Sequence, residues 1–133
     1  MRYLKKFNEN SEIDLEEHIV LVFADLEDNG FKVKYIQDDQ EIVILKWKRE
    51  PFEWKDISDK LHLYTEYIQN EYNNVRLSYL TEAYYIDDNN KKVGFWFPHD
   101  PFDEVWNIYV NDNDIEVNRD NIKIVSIGIF TEF

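Results

Sequence analysis

Apolar residues recur at helical spacing near the start of the chain. Four of them, separated by four, three and four positions, line one stripe: Leu15, Ile19, Val22 and Leu26. This pattern predicts a helix from Glu12 to Asn29. Ser11 or Asp14 is suited to cap its start, and Asn29-Gly30 is suited to end it in the left-handed conformation.

The next two segments alternate between apolar and polar residues as β-strands do. Phe31–Gln37 places aromatic and aliphatic residues on one face and lysines on the other, and Glu41–Arg49 follows the same pattern. The apolar face of the second strand is expected to hold Val43, Leu45 and Trp47. Asp38-Asp39 between the segments is a turn signal, so the two strands are predicted to form a hairpin.

The rest of the chain predicts one more helix and four more strands. The helix covers Lys55–Tyr72, which again carries apolar residues at helical spacing. The strands are Val75–Ile86, Val93–Phe97, Val105–Val110 and Ile122–Thr131. No helix separates them, so we expect an antiparallel meander. The expected fold class is α+β: a two-layer sandwich with two helices on one face of an antiparallel sheet of about six strands, in a single domain spanning residues 1–133.

Composition narrows the possible functions. The chain has 133 residues and 44% hydrophobic residues, enough for a core, and it lacks cysteine, which excludes disulfides and thiol chemistry. Asp and Glu number 28 against 15 Lys and Arg, a net charge of −13 that disfavours direct binding to nucleic acid or anionic membranes. No apolar run approaches the ~20 residues of a membrane span, and no signal-like stretch follows the basic start. We therefore expect a cytoplasmic protein.

Residues suited to catalysis or metal binding do not form a recognisable motif. The three histidines have no second His or Cys at ligand spacing and no accompanying nucleophile motif: His18, His62 and His99. Asp112 begins a segment similar to a calcium loop, but Val117 and Lys123 occupy the positions that require Gly and an acid. Carboxylate pairs fall in predicted turns or on polar helix faces, and the glycines are isolated. The expectation is a protein that is not an enzyme and has no metal or cofactor.

The first helix carries the most specific feature. Asp14, Glu17, Asp25 and Asp28 fall within about 80° of one another on the helix, opposite the apolar stripe. Such a face is either simply solvated or an array of carboxylates that imitates nucleic-acid phosphates for a basic protein partner. Segment 80–121 adds ten acidic residues against three basic ones.

Aromatic residues are the second unusual feature, at 17% of the chain. Five of them flank the second helix or the Pro98 loop: Phe52, Trp54, Trp96, Phe102 and Trp106. Because protein interfaces are enriched in Trp, Tyr and Phe, these residues are candidates for a contact patch. Packing in the core and at its rim is the alternative interpretation.

The N-terminal residues Met1–Glu9, a basic and aromatic segment, resemble the start of many small proteins from large tailed bacteriophages of AT-rich hosts. They are also similar to the capsid-targeting leaders of T-even-type phages. The resemblance covers about ten residues. It implies a phage origin and assigns no role to any residue.

Together these patterns favour an acidic binding protein that inhibits a basic, nucleic-acid-handling protein of the host or of its defences by phosphate mimicry. The alternative is a structural or assembly component of a virion, in which the aromatic residues would form a subunit interface. The sequence leaves the oligomeric state open.

Overall fold

The computed structural model describes residue 17 and residues 19–36, 38–72 and 74–132. Helix α1 covers residues 19–28. The other elements follow in chain order: β1 Phe31–Ile36, β2 Glu41–Lys46, α2 Ser58–Glu71, β3 Arg76–Ile86, β4 Lys92–Phe97, β5 Val105–Val110, β6 Asn113–Asn118 and β7 Lys123–Glu132. The predicted caps Ser11 and Asp14 lie outside the described residues.

Five strands form the main sheet, in the order β1-β2-β7-β3-β4, and every pairing in it is antiparallel. Strand β7 therefore lies at the centre, between β2 and β3. Its Ile124, Ile127 and Ile129 are fully buried, which suits a strand that pairs on both edges. The antiparallel α+β class is confirmed, but the predicted meander is wrong because the last strand inserts between the two earlier hairpins.

Strands β5 and β6 form a separate two-stranded sheet. The sequence analysis predicted no strand between Val110 and Ile122 and so missed β6, which is rich in Asn and Asp. Asn111 and Asp112 both have positive φ, 52° and 66°, and they make the two-residue turn of the hairpin. Two consecutive residues of this type are a recognised hairpin signal, so the second strand follows from the turn rather than from its own composition.

The sheet turns one face towards the helices, and the strand registers identify the residues on it. Ile42 and Ile44 of β2 pair with Ile129 and Ile127, and all four side chains are fully buried on this face. Val43 and Leu45 consequently point to the opposite, outer face, which corrects their predicted placement. The prediction failed because β2 is apolar on both sides, so alternation alone could not assign its faces.

Trp47, also predicted on the apolar face of β2, lies outside the strand. It begins a 3₁₀ turn, Trp47–Arg49, in which Lys48 and Arg49 both have positive φ. Trp47 is 56% exposed as a result.

Both helices pack on the same face of the sheet, as predicted. The rings of Phe23 in α1 and Tyr64 in α2 lie 5.4 Å apart, and the Tyr64 hydroxyl shares a hydrogen bond of 3.4 Å with Thr131 of β7. Helix α2 begins three residues later than predicted because a 3₁₀ turn, Trp54–Asp56, precedes it. The two helices and the sheet thus share one hydrophobic cluster.

The β5–β6 hairpin joins the same cluster beside the helices. Trp106 of β5 is fully buried and stacks on Phe97 of β4, with ring centroids 4.3 Å apart and an interplanar angle of 2°. Its indole N–H donates to the carbonyl of Asp103 at 3.1 Å. These contacts fix the hairpin against the β3–β4 side of the sheet.

Two buried threonines on the helix-facing side provide a test of this packing. Among the described residues, the Thr81 hydroxyl has no hydrogen-bond partner, whereas the Thr131 hydroxyl is paired with Tyr64. A buried hydroxyl without a partner costs free energy, so we expect Thr81→Val to raise the free energy of unfolding by about 1 kcal/mol and Thr131→Val to lower it by about as much. Urea unfolding measures both. Equal losses for the two variants would contradict this account of Thr81.

Candidate protein-binding surface

The acidic face of α1 is present as far as the structure describes it. Glu17, Asp25 and Asp28 are exposed on the side of the helix opposite Ile19 and Leu26, which are buried. Asp14 lies outside the described residues. Asp25 forms an ion pair with Lys60 of α2 at 2.9 Å, so this carboxylate is already partly neutralised.

The same acidity extends across both helices. Their described residues carry seven exposed carboxylates: Glu17, Asp25, Glu27, Asp28, Asp59, Glu66 and Glu71. Within this part of the chain, Lys60 is the single basic residue, and Asp25 pairs with it. The exposed faces of α1 and α2, which we call the helical layer, therefore present an almost uniformly negative surface.

Basic residues collect on the other side of the molecule. The registers place five of them on the outer face of the sheet: Lys32, Lys34, Arg76, Lys92 and Lys123. Two are paired there with carboxylates, Arg76 with Glu132 at 2.7 Å and Lys123 with Glu53 at 2.6 Å. The net charge is therefore unevenly distributed, and the helical layer is more acidic than composition alone indicates.

The helical layer also contains exposed apolar side chains that the sequence analysis did not identify as surface residues. Leu21 is 74% exposed and lies among Glu17, Asp25 and Asp28, and Val20 beside it is also exposed. The signal was available: both residues fall off the stripe that buries Ile19 and Leu26. An exposed leucine surrounded by carboxylates adds apolar contact area to an otherwise electrostatic surface.

Most of the aromatic candidates are not on the surface. Phe52, Trp54 and Trp106 are buried in the core, and Phe102 is half-buried with its ring 5.3 Å from that of Trp54. This corrects the expectation that they form a contact patch. The physical reason is that Pro101, Phe102 and the β5–β6 hairpin fold inwards over α2 and β4. Of the five, Trp96 alone is well exposed, at 59%, on the outer face.

Other aromatic residues are exposed instead. Trp47 and Tyr109 both present large rings to solvent, and the Lys32 ammonium lies 4.5 Å from the Trp47 ring centroid. Because these rings lie on the outer face and on the hairpin, they are not part of the helical layer. Trp47 is exposed by the 3₁₀ turn after β2, and Tyr109 is exposed on strand β5 of the hairpin. The residue type alone did not show that either position lies on the surface.

The histidines make ring contacts where they are described. His62 packs against Phe102 with centroids 4.5 Å apart, and His99 lies 5.3 Å from Phe97. His18 lies outside the described residues. Within the described ranges, no three His, Asp or Glu side chains are grouped as a metal site would require.

Among the described residues, two carboxyl groups have pKa values shifted from the ordinary value, each for a local reason. The pKa of Glu53 is lowered because Lys123 and Lys55 donate hydrogen bonds to its carboxylate. This group also forms a capping box with Asp56 at the start of the 3₁₀ turn before α2. The pKa of Glu41 is raised by partial burial and by the neighbouring charge of Asp39.

An open groove of about 540 Å³ lies between the β3–β4 turn and the β5–β6 hairpin. Its floor is apolar, and its rim carries three carboxylates, Asp87, Asp88 and Glu116, together with asparagine side chains. We call it the hairpin groove. Sequence analysis noted the acidity of segment 80–121 but not the groove, because residues far apart in the chain form it.

Comparisons with known proteins did not identify a relative of this chain. No protein-family model, no curated protein and no solved structure matches this chain. Among the described helices, none has the length and apolarity needed to cross a membrane.

Proposed function

We propose that this chain is a non-enzymatic binding protein whose helical layer occupies the basic, nucleic-acid-binding surface of a partner protein and so inhibits it. The observation that carries the proposal is the charge of this layer. Seven exposed carboxylates face solvent there with a single lysine, which is itself ion-paired. In keeping with the phage origin that the N-terminal residues imply, we take the partner to be a cytoplasmic protein of the host or of its defences.

Electrostatics supports this partner class. Carboxylates on one surface generate a negative potential that attracts Lys- and Arg-rich surfaces and repels nucleic acid. A groove built to bind phosphates would accept the same arrangement of negative charge, which is the basis of phosphate mimicry. Leu21 adds an apolar contact that salt does not screen, so the affinity should fall with salt without vanishing.

The test is an affinity pull-down from phage-infected cells with the purified chain as bait, followed by binding measurements with the recovered protein. The bait variant neutralises the acidic face of α1 through Asp14→Asn, Glu17→Gln, Asp25→Asn and Asp28→Asn. We expect a nucleic-acid-binding protein to be recovered by the original chain and lost with the variant. We also expect DNA or RNA to displace the chain, because both would occupy one surface. A loss of about 1.4–2.7 kcal/mol, or roughly ten- to hundredfold in affinity, is the expected size.

A matched control variant distinguishes the effect of the acidic face of α1 on binding from the effect of the total net charge. Four exposed carboxylates away from the helices are neutralised instead: Asp38→Asn, Asp39→Asn, Glu50→Gln and Glu104→Gln. The two variants have equal net charge, so equal weakening would mean that the helical layer is not the binding surface. A partner that keeps its nucleic acid while bound to the chain would rule out mimicry.

A virion or assembly component is the second candidate, favoured by exposed tryptophans on the outer face of the sheet. Trp47 and Trp96 are both more than half exposed there, and tryptophan is enriched at protein interfaces. This candidate predicts that capsid or tail proteins are recovered and that the change at the acidic face has no effect. Replacing Trp47 and Trp96 together by serine would then abolish recovery.

A further inference from the structure

The hairpin groove is the second surface of interest, and its floor is incompletely covered. Trp106 and Ile108 of β5 are buried against the sheet, but burial falls towards Val110 at the end of the strand. Tyr85 of β3 and Val93 of β4, on the opposite wall, are half-buried. The groove therefore leaves aliphatic surface in contact with solvent, at a size typical of ligand sites.

The charges at its rim are available for an external partner. Asp87 is used by the β3–β4 turn, because its carboxylate accepts the backbone N–H groups of Asn89 and Lys91 at 2.9 and 2.8 Å. Asp88 and Glu116 are exposed, and within the described part of the chain neither forms an ion pair. The described residues lining the groove include no lysine or arginine.

This combination restricts the chemistry of an occupant. An anion would be repelled by the rim, and a wholly apolar ligand would desolvate Asp88 and Glu116 without compensation. A second copy of this chain is disfavoured by a net charge of −13 on each molecule. A basic polypeptide that also carries aliphatic side chains satisfies both the rim and the floor.

We propose that the hairpin groove binds an extended basic segment of a partner polypeptide. An arginine or lysine of that segment would pair with Asp88 and Glu116, and a neighbouring aliphatic side chain would pack on Val93 and Val110. The proposal rests on the proposed function in taking the partner to be a basic protein, but it assigns a surface separate from the helical layer. Two contacts on one partner would raise the affinity above that of either surface alone.

The experiment uses the full chain and a fluorescein-labelled nonapeptide of alternating arginine and leucine, with binding followed by fluorescence polarisation at an ionic strength of about 0.15 M. Two control peptides replace every arginine by glutamine or every leucine by serine. We expect both controls to bind at least about tenfold more weakly, because each removes one of the two complementary features. Equal binding by the serine peptide would show that charge alone acts and would overturn the proposal.

Variants of the chain locate the site. Asp88→Asn with Glu116→Gln should weaken binding of the arginine–leucine peptide by about tenfold, since two exposed ion pairs are lost. Asp59→Asn with Glu66→Gln, in α2, makes the same change in net charge and should alter binding less than about twofold. Val93→Ser should also weaken binding, and because Val93 is only half-buried this variant should keep the fold.

Amide chemical shifts of the labelled chain give an independent readout. On addition of the arginine–leucine peptide, the shifts should change at residues 86–93 and 110–121 and not in the helices. Changes confined to the helical layer, equal weakening by the two charge variants, or no binding would each overturn the proposal. Neutralising the α1 face should leave peptide binding intact, so the groove and the proposed function can fail separately.

Discussion

Replacing Trp106 by alanine is expected to lower the free energy of unfolding by about 3–5 kcal/mol, among the larger losses for a single core substitution. Trp106 is fully buried, stacks on Phe97 at 4.3 Å and donates its indole N–H to the Asp103 carbonyl. The substitution removes the largest side chain that joins the hairpin to the sheet. It leaves a cavity and removes one of the two hydrogen bonds that the Asp103 carbonyl accepts.

Trp96→Ala is the matched control, because it removes the same side chain from an exposed position on the adjacent strand. We expect a loss below about 1 kcal/mol there. Guanidinium unfolding followed by far-UV circular dichroism is the appropriate measurement, since both variants change the tryptophan fluorescence. Similar losses at the two positions would show that the hairpin does not depend on the Trp106 contact.

Arg119→Ala is expected to cost about 2–3 kcal/mol, the sum of charged hydrogen bonds and a cation–π contact. The Arg119 guanidinium donates to the carbonyls of Phe102 and Asp103 at 2.5 and 3.3 Å and lies 4.9 Å from the Trp54 ring centroid. It therefore fastens the loop before β5 to the segment after β6. Without it, Phe102 should no longer be held over Trp54.

The control for charge is Arg76→Ala, since Arg76 is largely exposed and forms one ion pair with Glu132. This pair should contribute less than about 1 kcal/mol. Arg119→Lys tests whether the positive charge alone is sufficient, because lysine keeps the charge but lacks the planar guanidinium that lies over the Trp54 ring. Hydrogen exchange at the backbone amides of residues 102–104 reports on the loop directly. Unchanged protection in Arg119→Ala would contradict the assigned role.

Much of the fold followed from local patterns. The stripe of Ile19, Val22 and Leu26 placed α1 and its acidic face correctly because a helix repeats its faces at a fixed period. The β1–β2 hairpin followed from the turn at residues 38–40 in the same way. These predictions need information only from neighbouring residues.

The failures concern contacts between distant parts of the chain. The faces of β2 depend on its pairing with β7, more than eighty residues later, and no feature of β2 itself distinguishes Ile42 from Val43. The burial of Trp106 depends on Phe97 of another strand. The hairpin groove combines two turns that only the tertiary fold brings together. The sequence showed which segments are acidic. The shapes of the helical layer and of the hairpin groove depend on the tertiary fold.

The central position of β7 has a consequence for how the chain folds during synthesis. Strands β1 and β2 can pair early, and so can β3 and β4, but β7 joins these hairpins and is made after both. Until β7 is synthesised, the sheet lacks its central strand, and the edges of β2 and β3 that pair with β7 have no partner strand. Open edges of this kind invite pairing with other chains. The nascent chain is therefore most exposed to aggregation just before its last strand arrives, and folding should depend on chaperones at that stage more than at any other.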